Sequence, residues 1–435
     1  MPSITALTYI AVSLAGTLAT VFISPFYGIL LYQLNFFVDP HSRWWFGDLP
    51  DLRYSFLIMS LVLLGYLARL GQYRENRLGR LPQFKWLAAL MAVVVVSYFW
   101  AVSPELHAEF SLRYCKVILF TVLAYKVVDT PQKVEKLLGV YLLGIFYLSF
   151  LAWQLGRTQG GRLEGIGCAD TTDANGTAAV VVTALPLLVF YLLFGKKLWV
   201  RALSLLGCAF VMNSLILFNS RGSFLALICG GLYFTWFIFR EKLGRAIKMK
   251  VACGAIVAVG LFAYLADDTF LSRMETMSEP TEEGRSGASR ITFWMTTFQM
   301  LEAHPLGAGA RGFHLLSANY LPAESLSRGV RAVHSTWFEA LSEYGYHGLL
   351  LFLGYLGSTF LLMRRVRAVL REASDSYLVF QSIALESSLI CLLAAGSFIN
   401  FFYGELMYWL PMYMGVFANV HMFARSSKGF SNEPA

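Results

Sequence analysis

Apolar positions along the chain gather into repeated runs of about 17–25 residues, the length that carries a helix across a ~30 Å hydrocarbon core. The runs are 5–37, 54–70, 84–102, 111–128, 137–156, 174–194, 199–218, 222–239, 250–266, 343–363, 378–399 and 402–423. They predict about twelve transmembrane helices. Only the first is too long for one straight span, and Ser24-Pro25 and Gly28 mark where it would bend or divide in two. The polar stretches between runs are short except for 267–342, which holds amphipathic pieces near 288–303 and 331–343. The expected fold is an all-α polytopic membrane protein with one long, partly helical loop outside the membrane. Its expected units are an N-terminal transmembrane bundle over 1–266, the loop 267–342, and C-terminal transmembrane helices with a short tail over 343–435.

Composition agrees with the pattern. Of 435 residues, 57% are hydrophobic and 14% charged, against about 45–50% and ~25% in soluble domains. A soluble enzyme on a single anchor and a disordered chain are both excluded. The six Cys show no CxxC or Cys/His spacing, so neither a disulfide framework nor a zinc site is expected. The charge-free stretch Ile4 to Val38 has no convincing cleavage site and reads as a retained membrane segment.

Charge then orients the chain. Segments 69–85, 126–136, 196–201, 240–250, 364–371 and 425–428 hold most of the Lys and Arg and are expected on the cytoplasmic side. The alternate segments 39–53, 103–113, 157–173, 219–221 and 267–342 hold most of the acids and are expected to face outward. Topology thus accounts for the net charge of +8. A nucleic-acid partner loses its support, while contact with anionic membrane lipids stays plausible. No internal repeat is visible, which weighs against an inverted-repeat transporter.

Few residues outside these patterns suggest chemistry. In Ser220-Arg221-Gly222-Ser223, Arg221 sits at an outer membrane edge where a helix begins. This reads either as a phosphate site, guanidinium beside helix N-terminus, or as a snorkelling anchor. Arg290 to Met300 reads as a helix along the membrane surface, stopped by Pro305. Gly307, Gly309 and Gly312 spell G-x-G-x-x-G, but no strand precedes and no helix clearly follows, so the dinucleotide reading fails. His334 and Glu339 are not spaced i,i+4, and no metal site is expected there. His334 is either an acid–base or orienting residue or a satisfied structural histidine.

The remaining charges have mostly bland readings. Asp267-Asp268, Glu282-Glu283 and Asp170 with Asp173 lack a His partner or D-x-D spacing and read as solvated loop faces. Within the membrane, Lys116, Glu386 and Glu405 either pair with one another or mark a functional site. Trp44, Trp45, Trp294 and Trp337 suit interface anchoring or sugar stacking.

His334-Ser335, nine residues, Gly345, two residues and Gly348 together resemble the signature of the O-antigen ligases, with Leu349 where that signature usually has Thr. Arg221 and Arg290 fall where the O-antigen ligase and polymerase superfamily keeps two outward arginines. Pro25-Phe26-Tyr27-Gly28, Asn35, Pro40-His41, Arg162, Asp173-Ala174-Asn175 and Pro186 look like the exosortase-associated O-glycosylation ligase branch. The resemblance implies a glycosyltransferase in a bacterial inner membrane. It would move a glycan from an undecaprenyl-pyrophosphate donor to a lipid A core, glycan or protein acceptor on the periplasmic side, with no cofactor or metal. Arg221 and Arg290 would then stabilise the departing pyrophosphate, and His334 would take or orient the acceptor proton. Arg311, Arg162 and Glu339 would contact substrate. A polyprenyl-lipid or polysaccharide transporter is the competing class.

Overall fold

The computed structural model describes residues 2–156, 162–171, 173–241, 288–326 and 329–423, with a few positions between 244 and 260. Its helices are α1 (Ile4–Phe22), α2 (Pro25–Val38), α3 (Tyr54–Leu67), α4 (Pro82–Val96), α5 (Pro104–Val127), α6 (Pro131–Leu155), α7 (Ala174–Val182), α8 (Leu185–Phe194), α9 (Leu198–Phe218) and α10 (Arg221–Arg240). After the segment outside the description come α11 (Ala288–Ala303), α12 (Gly312–Tyr320), α13 (Thr336–Glu372), α14 (Ser376–Gly396) and α15 (Leu406–Ala418). The chain is an all-α polytopic membrane protein.

Local chemistry sets the boundaries. Pro25, Pro82, Pro104 and Pro131 each open a helix, where the missing N–H is no loss and the fixed φ already suits the first turn. Before three of them, Ser24, Ser103 and Thr130 accept a first-turn N–H on their side chains. The long first run therefore divides into α1 and α2 at Ser24-Pro25. Gly28 lets α2 close on its neighbours, since a Cβ there would stand 2.4 Å from Val62 of α3. Run 174–194 breaks into α7 and α8 just ahead of Pro186, which has no N–H to return to Val182.

Eight described helices or helix pairs are long and apolar enough to cross a membrane, and a ninth if the bent pair Tyr54–Leu67 and Leu70–Arg80 is one span. The expected count of twelve is not reached among the described residues. Segment α15, at 13 residues, is too short by itself, and run 250–266 lies largely outside the description. Asp267-Asp268, Glu282-Glu283 and Gly160-Gly161 also lie outside it.

Hydrogen bonds sort the connecting segments into the two expected sets. At one end Arg43 donates to the Gly167 carbonyl (2.7 Å), Val102 N–H to Ala308 (3.0 Å) and Leu163 N–H to Leu217 (2.9 Å). At the other, Asn76 donates to the Lys126 carbonyl (2.7 Å), and Arg371 pairs with Glu241. The segment 364–371 is no loop, however: α13 runs unbroken through it to Glu372, so its arginines lie on helical turns. The centre of the bundle is formed by α14 and α15. There Trp409, wholly buried, is surrounded by the rings of Tyr32, Phe36, Phe37 and Phe120.

The intramembrane charges also differ from expectation. Glu386 pairs with Arg367, not with Lys116, which is exposed. Glu405 accepts from the Tyr32 hydroxyl at 2.9 Å.

Candidate active site

Helix α10 begins at Arg221, one residue earlier than expected, directly after Ser220. Its first turn forms one wall of a cavity of ≈ 160 Å³ through Ser220, Arg221, Gly222 and Ser223. Arg162, Asn175, Arg290 of α11, Ala395 of α14, and Phe398 and Ile399 just after α14 complete the lining. Three residues singled out from sequence, Arg162, Arg221 and Arg290, therefore converge on one space. Gly222 permits this closeness, because a Cβ there would stand 3.3 Å from the Phe398 side chain.

The cavity is electropositive. No Asp or Glu is among the described residues that line it. Arg162 bridges to Glu164 (2.9 Å), which in turn accepts the Ala174 N–H at the start of α7 (3.0 Å). The Arg290 guanidinium lies 5.8 Å from the Phe398 ring centre. Burial first, and then the neighbouring Arg221 charge, pull its pKa down from the ordinary arginine value. Two cations beside a helix N-terminus favour a phosphate-type group.

His334 lies outside the cavity lining but within electrostatic reach of Arg290. It is not helical: its backbone is left-handed, φ 52°, and α13 begins two residues later at Thr336 with Ser335 as the cap. The His334 N–H donates to Asn400 Oδ1 at 2.7 Å, and its ring lies 6.4 Å from that of Phe293. Burial and then the Arg290 charge hold the imidazole below its ordinary value, with Asp173 acting the other way and Arg331 adding to the lowering. At neutral pH the ring is therefore uncharged and able to accept a proton.

Glu339 and Arg311 stand apart from the lining. Glu339 is buried on the first turns of α13, and its carboxylate accepts the Phe402 N–H at 2.9 Å. Arg311 caps α12 in a left-handed conformation, φ 60°, with its guanidinium 5.6 Å from the Phe110 ring centre. A helix does follow the glycine turn, contrary to the sequence reading, but helix α11 and not a strand precedes it. The turn's N–H groups are also committed: Ala308 donates to Ser342 O, Gly309 to Glu343 O, Ala310 to His107 Nδ1 and Arg311 to Glu343 Oε1, all at 2.8–2.9 Å. No phosphate cradle remains there.

The signature glycines have a physical reason. Gly345 interrupts α13 with φ 64° and ψ −171°, where a Cβ would stand 2.8 Å from the Pro305 carbonyl oxygen. The break lets the 305–311 turn seat against the outer piece of the helix. Asp170 accepts the Glu405 N–H and Asp173 caps α7, so both carboxylates are engaged by backbone. Trp45 is buried rather than belted, and Trp337 donates to Ser397 Oγ at 2.9 Å.

Residues 206–353 match the family model described as O-antigen ligase. That segment, about a third of the chain, supports membership of the O-antigen ligase superfamily. No curated protein matches it. The O-antigen ligase segment contains Arg221, Arg290, Arg311, His334 and Glu339, but not Arg162, Phe398 or Asn400. Sequence reasoning missed these last two. The available signal was Asn400 itself, a lone amide between two strongly apolar runs.

Proposed function

We propose that this O-antigen ligase superfamily member is an inner-membrane glycosyltransferase that moves a glycan from an undecaprenyl-pyrophosphate donor to an acceptor hydroxyl on the periplasmic side, as a polysaccharide ligase. The observation that carries this reading is the convergence of Arg221 and Arg290 on one cavity, with His334 near enough to feel the Arg290 charge. As the anomeric carbon leaves pyrophosphate, negative charge grows on the departing oxygens. Guanidinium groups already fixed there stabilise the transition state more than the ground state. The acceptor oxygen forms the new bond to the anomeric carbon, and its proton passes to His334. Positive charge comes from the arginines, so the scheme calls on no metal and no nucleotide. Arg162 extends the positive wall toward the pyrophosphate or the first sugar.

The test is the size distribution of undecaprenyl-linked glycan in cells lacking the protein, compared with cells carrying His334→Ala. Long lipid-linked polymer accumulating in both supports ligation. Single repeat units accumulating instead would make the protein a polymerase, and an unaltered pool in both would overturn the transferase reading.

A further inference from the structure

The turn that joins α14 to α15 touches both halves of the candidate site. Its Phe398 and Ile399 form the cavity wall, with Phe398 against Arg290. Two residues on, Asn400 Oδ1 accepts the His334 N–H at 2.7 Å. The first turns of α13 clasp the same segment. Trp337 Nε1 donates to Ser397 Oγ (2.9 Å), Thr336 Oγ1 donates to the Ile399 carbonyl (3.0 Å) and accepts from Phe401 N–H (3.1 Å), and Glu339 accepts from Phe402 N–H (2.9 Å). The Asn400 side chain also interacts with the Glu339 carboxylate.

His334 has particular need of such a hold. A side-chain-bearing residue in the left-handed region is disfavoured unless its surroundings impose it. At φ 52° the direction of the imidazole is set by a backbone that the Asn400 bond fixes. The matched O-antigen ligase segment ends before this turn, so the family match assigns it no role.

We propose that Asn400 is a positioning residue for glycan transfer, holding His334 at a set distance from the arginine cavity, and that Glu339 supports Asn400 instead of contacting substrate. The inference rests on His334 being the base. Asn400 touches neither pyrophosphate nor acceptor and works through the His334 main chain. Glu339, anchored on Phe402, keeps the amide turned so that its oxygen faces His334.

The experiment uses the full-length protein in detergent, with lipid-linked glycan as donor, and measures kcat and donor KM for Asn400→Ala, His334→Ala and the double variant. A displacement of the base on the ångström scale is expected to cost kcat about 10²-fold in Asn400→Ala, with donor KM unchanged because the arginines stay in place. In the His334→Ala background, Asn400→Ala should add no further loss, since a residue acting through another has nothing left to position. Wild-type kcat in Asn400→Ala, or losses that simply multiply in the double variant, would overturn the proposal. Wild-type turnover in His334→Ala would instead remove the base reading itself, which is a different result. Should Asn400→Ala fail to fold, Asn400→Asp with Glu339→Gln keeps an acceptor for the His334 N–H and removes the second carboxylate. That pair should retain most activity, and its loss in folded protein would count equally against the proposal.

Discussion

Arg367 of α13 and Glu386 of α14 form an ion pair sealed inside the bundle, and Tyr233 of α10 donates to the same carboxylate at 3.0 Å. Three helices meet at one charge. Removing a single partner leaves the other uncompensated in a low-dielectric interior, at a cost of about 3–5 kcal/mol, whereas replacing both with apolar residues of similar volume costs far less. Glu386→Leu should therefore lower the melting temperature of the purified protein sharply, and Arg367→Leu/Glu386→Leu should recover most of it. A double variant no more stable than the single one would show that the pair is not the source.

The acidity of His334 gives a signed pH prediction. Its pKa is lowered from the ordinary 6.5, by burial first and then by Arg290. The neutral ring is the working base, so the acidic limb of kcat/KM should lie below that value. Asp173 acts in the raising direction. Asp173→Asn keeps an oxygen to cap α7 and should move the limb to lower pH. Arg331→Gln removes a lowering charge and should move it upward. Limbs that coincide in all three proteins would mean that another group titrates.

Charge reversal at Arg221 should act on the donor. A hydrogen bond to a charged group contributes about 1.5–3 kcal/mol, so losing one weakens binding roughly 10–100-fold. Arg221→Glu should raise the dissociation constant for lipid-linked pyrophosphate by at least that factor while the protein stays folded. Arg221→Lys should recover only part, because an ammonium lacks the planar fork. Normal donor affinity in Arg221→Glu would place the pyrophosphate elsewhere.

Gly307 and Gly329 share φ 86°, yet only Gly307 is crowded: a Cβ there would stand 2.4 Å from the Glu343 carbonyl oxygen, while Gly329 faces open space. Both alanine variants bear backbone strain of about 1–3 kcal/mol. Gly307→Ala must also push the turn off α13. It should melt at a lower temperature than Gly329→Ala and lose transfer activity, which thermal scans and turnover of the two proteins will compare.

Much of this arrangement was legible in the sequence. Hydrophobic runs located the helices because each must cover itself in apolar side chains, although α5 and α6 open at Pro104 and Pro131, ahead of the runs at 111 and 137. The amphipathic piece near 288–303 is α11 almost to the residue. Arg221 stood out as a cation bordering an apolar run, and Arg290 as the first residue of the surface helix and through the family resemblance. What the pattern does not encode is pairing between distant segments. Arg367 looks like one more basic loop residue because hydropathy does not show that its turn of helix faces Glu386, and Lys116 suggests itself as a partner only by lying within an apolar run. Glu339 reads as a substrate contact, and nothing local reveals that its carboxylate also accepts the Phe402 N–H. Asn400 was overlooked for the same reason, since its partner lies 66 positions away.

The 305–311 turn docks by main-chain hydrogen bonds onto Ser342 and Glu343 and onto the ring of His107, and the Gly345 break admits it. These acceptors belong to helices of the membrane bundle, not to the segment between α10 and α13. An excised soluble fragment of that segment would leave those N–H groups without the oxygens and nitrogen that shape the turn. The layer carrying Arg290 and His334 is thus a facing cut from the bundle itself, and it has a defined shape only while the helices beneath it remain in lipid or detergent.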